Sequence, residues 1–84
     1  MFTPAAFLAR IRAQPFIPFR VIKSSGETYD VVHPRLILVG HQFLEIGIPW
    51  KPGVDIFDQV YRVALSHITA VNDLPAPGGA NGPA

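Results

Sequence analysis

The sequence predicts a mainly β fold: one short N-terminal helix, then a five-stranded, strongly bent antiparallel small barrel. Three observations predict it. A helix signal near the start is cut off by Pro15. After it, apolar and polar residues alternate in short stretches separated by turns that contain Gly, Ser or Pro. Pro18 and Pro34 stand inside otherwise strand-forming sequence. Proline cannot donate to a ladder, so those two positions argue for edges and corners rather than a flat sheet.

Taken in order, Thr3 is placed to cap a helix and Pro4 fits its first position. Phe2 and Phe7 have the spacing of a hydrophobic staple, and Phe7, Leu8 and Ile11 make one apolar stripe. In FIPFRVIK, Ile17, Phe19 and Val21 alternate with Pro18, Arg20 and Ile22, and Pro18 marks the strand's start or an unpaired edge. Ser24, Ser25, Gly26 and Glu27 form a tight turn, with glycine available for a positive φ. The return stretch ETYDVVH puts Tyr29, Val31 and His33 on one face, and Pro34 then bends the chain.

LILVG (36–40) and FLEIGI (43–48) make a second hairpin around Gly40, His41 and Gln42. LILV is apolar on both faces, which predicts a central, covered strand. Gly47 within the next strand predicts a kink or a close approach. PWKPG is a rigid loop. DIFDQVYRVAL (55–65) then alternates, with Phe57, Tyr61, Val63 and Leu65 opposite Asp58, Val60 and Arg62. A short turn at Ser66 and His67 leads into ITAVNDL.

Length and composition bound the rest. The chain has 84 residues, read as one domain over 1–74 and a disordered Pro/Gly/Ala tail over 75–84. Such a core is only marginally stabilising by itself, and with no cysteine neither disulfides nor thiolate metal sites are available to help. Hydrophobic residues make up 49% and charged ones 15%, an apolar balance for so small a domain. Oligomerisation is the support left, and the expected form is a ring or a dimer made by pairing the fourth strand with the fifth. A formal charge of +1 leaves no strong footprint for nucleic acid or anionic membrane. No apolar run is long enough to span a bilayer, and the arginines of MFTPAAFLARIRAQP follow its apolar residues rather than precede them. The expected location is the cytoplasm.

The pattern QPFIPFRV, SGETYDVVHP and YRVALSHITAV is similar to a widespread set of short uncharacterised bacterial proteins that share PF-x-PF, a Gly turn, an HP dipeptide and a closing L-x-HI-x-x-I/V. That resemblance implies a family and no activity. The order of a short helix and five bent strands, with only a tight turn between the last two, resembles the Sm-like and SH3-like small barrels. Sm proteins, among them the bacterial host-factor RNA chaperone, form rings by pairing the fourth strand of one subunit with the fifth of the next. Their first motif carries an Asp and an Asn where this chain has VVHPRLILV, and the second motif of the host-factor chaperone closes with a Lys-His pair where this chain has Leu65, Ser66 and His67. Under the resemblance Arg35 stands where phosphate would be met, and His67 aligns with the motif histidine.

No catalytic constellation is visible. His33, His41 and His67 match no short metal-ligand spacing, so no metal or other cofactor is expected. Ser66 and His67 are neighbours and point apart, and no two carboxylates converge on a pocket. A barrel this small fills its own interior, so neither an enzyme nor a small-molecule substrate is expected. Trp50, in the rigid loop, is placed either to anchor a partner or stack on a base, or to fold back over the barrel. The leading expectation is therefore a non-enzymatic, self-associating interaction module. The alternative is a ring binding single-stranded RNA through Arg35, His67 and Trp50.

Overall fold

The computed structural model describes residues 2–54 and 56–75. The expected tail lies, from residue 76 on, outside the described residues, as does Asp55 at the start of the fifth predicted stretch. Helix α1 spans Pro4–Arg12. The strands are β1 (Phe19–Lys23), β2 (Thr28–Val31), β3 (Ile37–Val39), β4 (Phe43–Pro49), β5 (Phe57–Ala64) and β6 (Ile68–Asp73), with 3₁₀ turns at Pro34–Leu36 and Leu65–His67.

The local signals act as the residues dictate. Thr3 Oγ1 accepts a hydrogen bond from the Ala6 N–H at 3.2 Å, which satisfies one donor of the first helical turn. The Phe2 and Phe7 rings lie 6.1 Å apart, and Phe7 is buried against Phe19 at 6.2 Å. Helix α1 ends at Arg12, before Pro15. Gly26 adopts φ +94°, the left-handed conformation that the β1–β2 turn requires. Pro18 directly precedes β1, and its carbonyl accepts from the Leu74 N–H at 2.8 Å. At the corner after β2, His33 Nδ1 accepts from the Arg35 N–H at 3.1 Å and so caps the turn that Pro34 opens.

Two three-stranded antiparallel sheets result, in the orders β2-β1-β6 and β3-β4-β5. This corrects the predicted architecture: among the described residues all six strand-forming stretches become separate strands, where five were expected, and the sheets do not close into a barrel. The 3₁₀ turn at Pro34–Leu36 breaks the extended chain, so β2 and β3 fall in different sheets. The turn at Leu65–His67 does the same for β5 and β6. The core lies between the sheets and under α1. It is built from Phe7, Phe19, Val21, Val31, Ile37, Leu44, Ile46, Val63, Leu65 and Ile68, with Ile11 and Phe16 packed against it.

Two further expectations change. The LILV stretch is not central: β3 is an edge strand, Ile37 is buried and Leu38 is 67% exposed. The central strand is β4, whose Leu44 and Ile46 are fully buried. Ile17 does not continue the Phe19 and Val21 face; it precedes the strand and is 49% exposed.

Candidate interaction surface

Among the described residues the longest free edge belongs to β5. It has eight residues, against four in β2, three in β3 and six in β6, the other strands that end a sheet. In an antiparallel pair, alternate residues exchange both backbone bonds with the neighbour. The Leu65 N–H bonds to the Gln42 carbonyl at 3.0 Å, and Gly40 N–H to the Phe43 carbonyl at 2.7 Å. With the register Leu44↔Val63, Ile46↔Tyr61 and Ile48↔Gln59, these bonds fix the parity: β4 turns 44, 46 and 48 toward β5, and 43, 45 and 47 toward β3. Val60, Arg62 and Ala64 therefore direct their N–H and C=O groups away from β4. Among the described residues no strand takes them up.

The side chains of β5 do not follow simple alternation. Register shifts between Ile48 and Pro49, so that Pro49 pairs with Phe57 and Ile48 with Gln59, leaving Asp58 unmatched on β4. This bulge moves Phe57 to the face opposite the one its spacing predicts. Its ring covers Gly47, where an added Cβ would meet it at 2.9 Å. The close approach expected at Gly47 is thus made by an aromatic ring. Phe57, Gly47, Val60, Glu45, Leu38 and Arg35 line a groove of about 160 Å³ on the outer face of this sheet. Beside it, Phe43 sits over Gly40, and the Arg62 guanidinium stacks 4.2 Å from the Phe43 ring centroid. Arg62 Nε and Nη2 both donate to Glu45 Oε2, at 3.3 and 2.9 Å.

On the inner face, Tyr61 reaches across to the other sheet, its ring 5.2 Å from that of Tyr29, and its hydroxyl donates to Gln59 Oε1. Tyr29 in turn donates to Glu27 Oε1 at 3.2 Å, which also receives Lys23 Nζ at 3.0 Å. These bonds hold the Glu27 carboxyl below its ordinary range, the lysine contributing most, and the Lys23 ammonium above its own. Burial, then the bond to Glu27, raises the Tyr29 hydroxyl. Arg20 is likewise held by Asp30, at 2.7 and 3.1 Å.

The exposed apolar side chains concentrate along this hairpin. Val60 is 55% exposed, Ile56 61%, Phe57 41% and Tyr61 37%. The exposed positions of β2 and β6 are instead polar, among them Thr28, Asp30, Thr69, Asn72 and Asp73. Polar edges discourage strand addition; the β5 edge is mixed, with exposed Asp58, Gln59 and Arg62 beside Phe57, Val60 and Tyr61, and the shorter β3 edge exposes Leu38.

The residues predicted as contacts stand on three separate connections. Arg35 is exposed in the first 3₁₀ turn and lines the outer groove. His67 is exposed in the second, where its carbonyl accepts from the Ser24 N–H at 2.8 Å. Trp50 is 57% exposed in the β4–β5 connection, with Lys51 Nζ 4.4 Å from its ring centroid. It does not fold back over the core. His33, His41 and His67 lie near three different turns. The features that sequence reasoning missed are the exposure of Val60 and the crossing of Phe57 to the outer face; the signal for the second was Gly47, a strand glycine that leaves room for a ring. No protein-family model matches the chain, and no curated protein or solved structure matches it significantly.

Proposed function

We propose that the chain is a non-enzymatic interaction module that self-associates by adding a strand to the edge of β5. We read its fold as an opened form of the small Sm-like barrel, with β2 and β3 as the two halves of one bent strand. The observation that carries the reading is the edge itself. The free side of an eight-residue strand coincides with exposed apolar side chains on both of its faces. An isolated edge of that kind is a template for another strand, and pairing it removes apolar surface from water. The low charge content favours the same outcome, since little in the surface opposes association.

The test is the mass in solution. Sedimentation equilibrium or light scattering over a wide concentration range should give an oligomer. Because apolar burial and backbone bonds drive it, the assembly should persist when salt is raised. A monomer at the highest soluble concentration would refute the proposal.

A further inference from the structure

We infer that a second copy of this chain pairs β5 with β5, antiparallel, about a two-fold axis through Val60. This rests on the self-association proposed above and names its register and partner strand. Asp58-Gln59-Val60-Tyr61-Arg62 is self-complementary when run against itself. With Val60 on the axis, Asp58 lies opposite Arg62 of the second copy and Gln59 opposite Tyr61 of the second copy. Each pair occurs twice, as an isologous interface requires. Val60 directs its N–H and C=O outward, so the two Val60 residues exchange both backbone bonds at the axis. The tyrosine-to-glutamine hydrogen bond that exists within each chain has the same partners across the axis.

Charge selects this register over its neighbours. An axis through Arg62 sets two guanidinium groups against each other. An axis through Tyr61 sets Arg62 opposite Val60 and leaves Asp58 without a cation. Like charges directly opposite on paired strands are destabilising, and opposite charges are favourable. Pairing β5 with β6 of a second copy also fails Asp58, because Ile68–Asp73 contains no cation. Arg62 can serve both neighbours: Nε and Nη2 hold Glu45, while Nη1 takes no part in that bond.

The product is a dimer with one continuous six-stranded sheet, ordered β3-β4-β5-β5-β4-β3. The Val60 pair then lies side by side at the centre of the outer face, between the two grooves that Phe57 and Leu38 line.

Charge reversal tests this directly, with mass read by light scattering and folding by circular dichroism. Asp58→Arg sets a new guanidinium against Arg62 of the second copy at both contacts, and the dissociation constant should rise about tenfold or more. High salt should restore part of that loss, because about 1 M ionic strength screens charges beyond roughly 3 Å. Mixing the Asp58→Arg chain with an Arg62→Asp chain should recover a heterodimer, since every contact then joins opposite charges. If Arg62→Asp fails to fold, the salt response of Asp58→Arg still decides. A wild-type assembly larger than a dimer, or a dimer that Asp58→Arg leaves unchanged, would overturn this register and leave self-association standing. A wild-type monomer would overturn both.

Discussion

Placing proline at two adjacent positions of β5 separates its two edges. The N–H of Val60 points away from β4 and that of Tyr61 points into it, as the Leu65–Gln42 bond and the register require. Val60→Pro therefore removes a donor that has no partner strand among the described residues, at an edge position where proline is tolerated. Tyr61→Pro deletes a ladder bond to β4 opposite Ile46, which is fully buried, and strands its acceptor. Losing such a bond costs about 1–3 kcal/mol, and the unfavourable ring geometry adds to it. A folding unit of this size has only about 4–11 kcal/mol of stability in total. Tyr61→Pro should thus unfold at much lower urea, while Val60→Pro should stay within about 1 kcal/mol of wild type at protein concentrations low enough that both are monomeric. The same Val60→Pro chain should be monomeric by light scattering, because the central pair of bonds in the proposed interface can no longer form. Equal destabilisation by the two prolines would show that the parity assigned to β5 is wrong. A folded Val60→Pro chain that remains oligomeric would show that the interface lies elsewhere.

Three other outcomes are expected. Ile46→Ala, in the central strand and fully buried, should lose about 2–5 kcal/mol in urea denaturation, enough to leave the domain marginal; a loss below about 1 kcal/mol would mean the two sheets repack around the site. Because Lys23 and Tyr29 depress the folded-state pKa of Glu27, its contribution is full above the ordinary glutamate value, about 4.3, and fades as pH falls through the lower folded value. Glu27→Gln should flatten that part of the acid-unfolding profile, and an unchanged profile would show that Glu27 has no part in it. Trp50 fluorescence should not respond to short U-rich or A-rich RNA, since Arg35, His67 and Trp50 stand on separate connections; a saturable quench that weakens with salt would instead support RNA binding.

Much of the fold is written in local signals. Thr3 and Pro4 start the helix, Gly26 makes the first turn, and Pro34 bends the chain, each through backbone chemistry that neighbouring residues decide. What the chain does not declare locally is which strands end the sheets. LILV has apolar side chains on both faces, and only the pairing partners of β3 determine that Leu38 is exposed. The bulge at Asp58 is equally hidden, because alternation predicts one face for Phe57 and a single extra residue reverses it. The free edge of β5 likewise follows from the order of pairing. Arg35, His67 and Trp50 are visible as chemistry-bearing residues, whereas Val60 looks ordinary in sequence and matters through the direction of its backbone.

The two sheets differ in how far along the chain their strands must travel to meet. β3, β4 and β5 are consecutive, so their pairing closes only short loops. β6 must return to β1, where Phe19 meets Asp73. Loop closure costs more entropy as the separation grows, which makes the nearby pairs the early ones. A ribosome-bound chain that has emerged only as far as Ala64 already owns its complete β3-β4-β5 sheet, while β1 still lacks its second partner. The exposed edge is thus present before the domain is finished, and under the proposed pairing chains made side by side on one messenger would meet through it. Pulsed hydrogen exchange during refolding should protect the Tyr61 amide before that of Asn72, which faces β1 opposite Arg20; the reverse order would exclude this sequence of events.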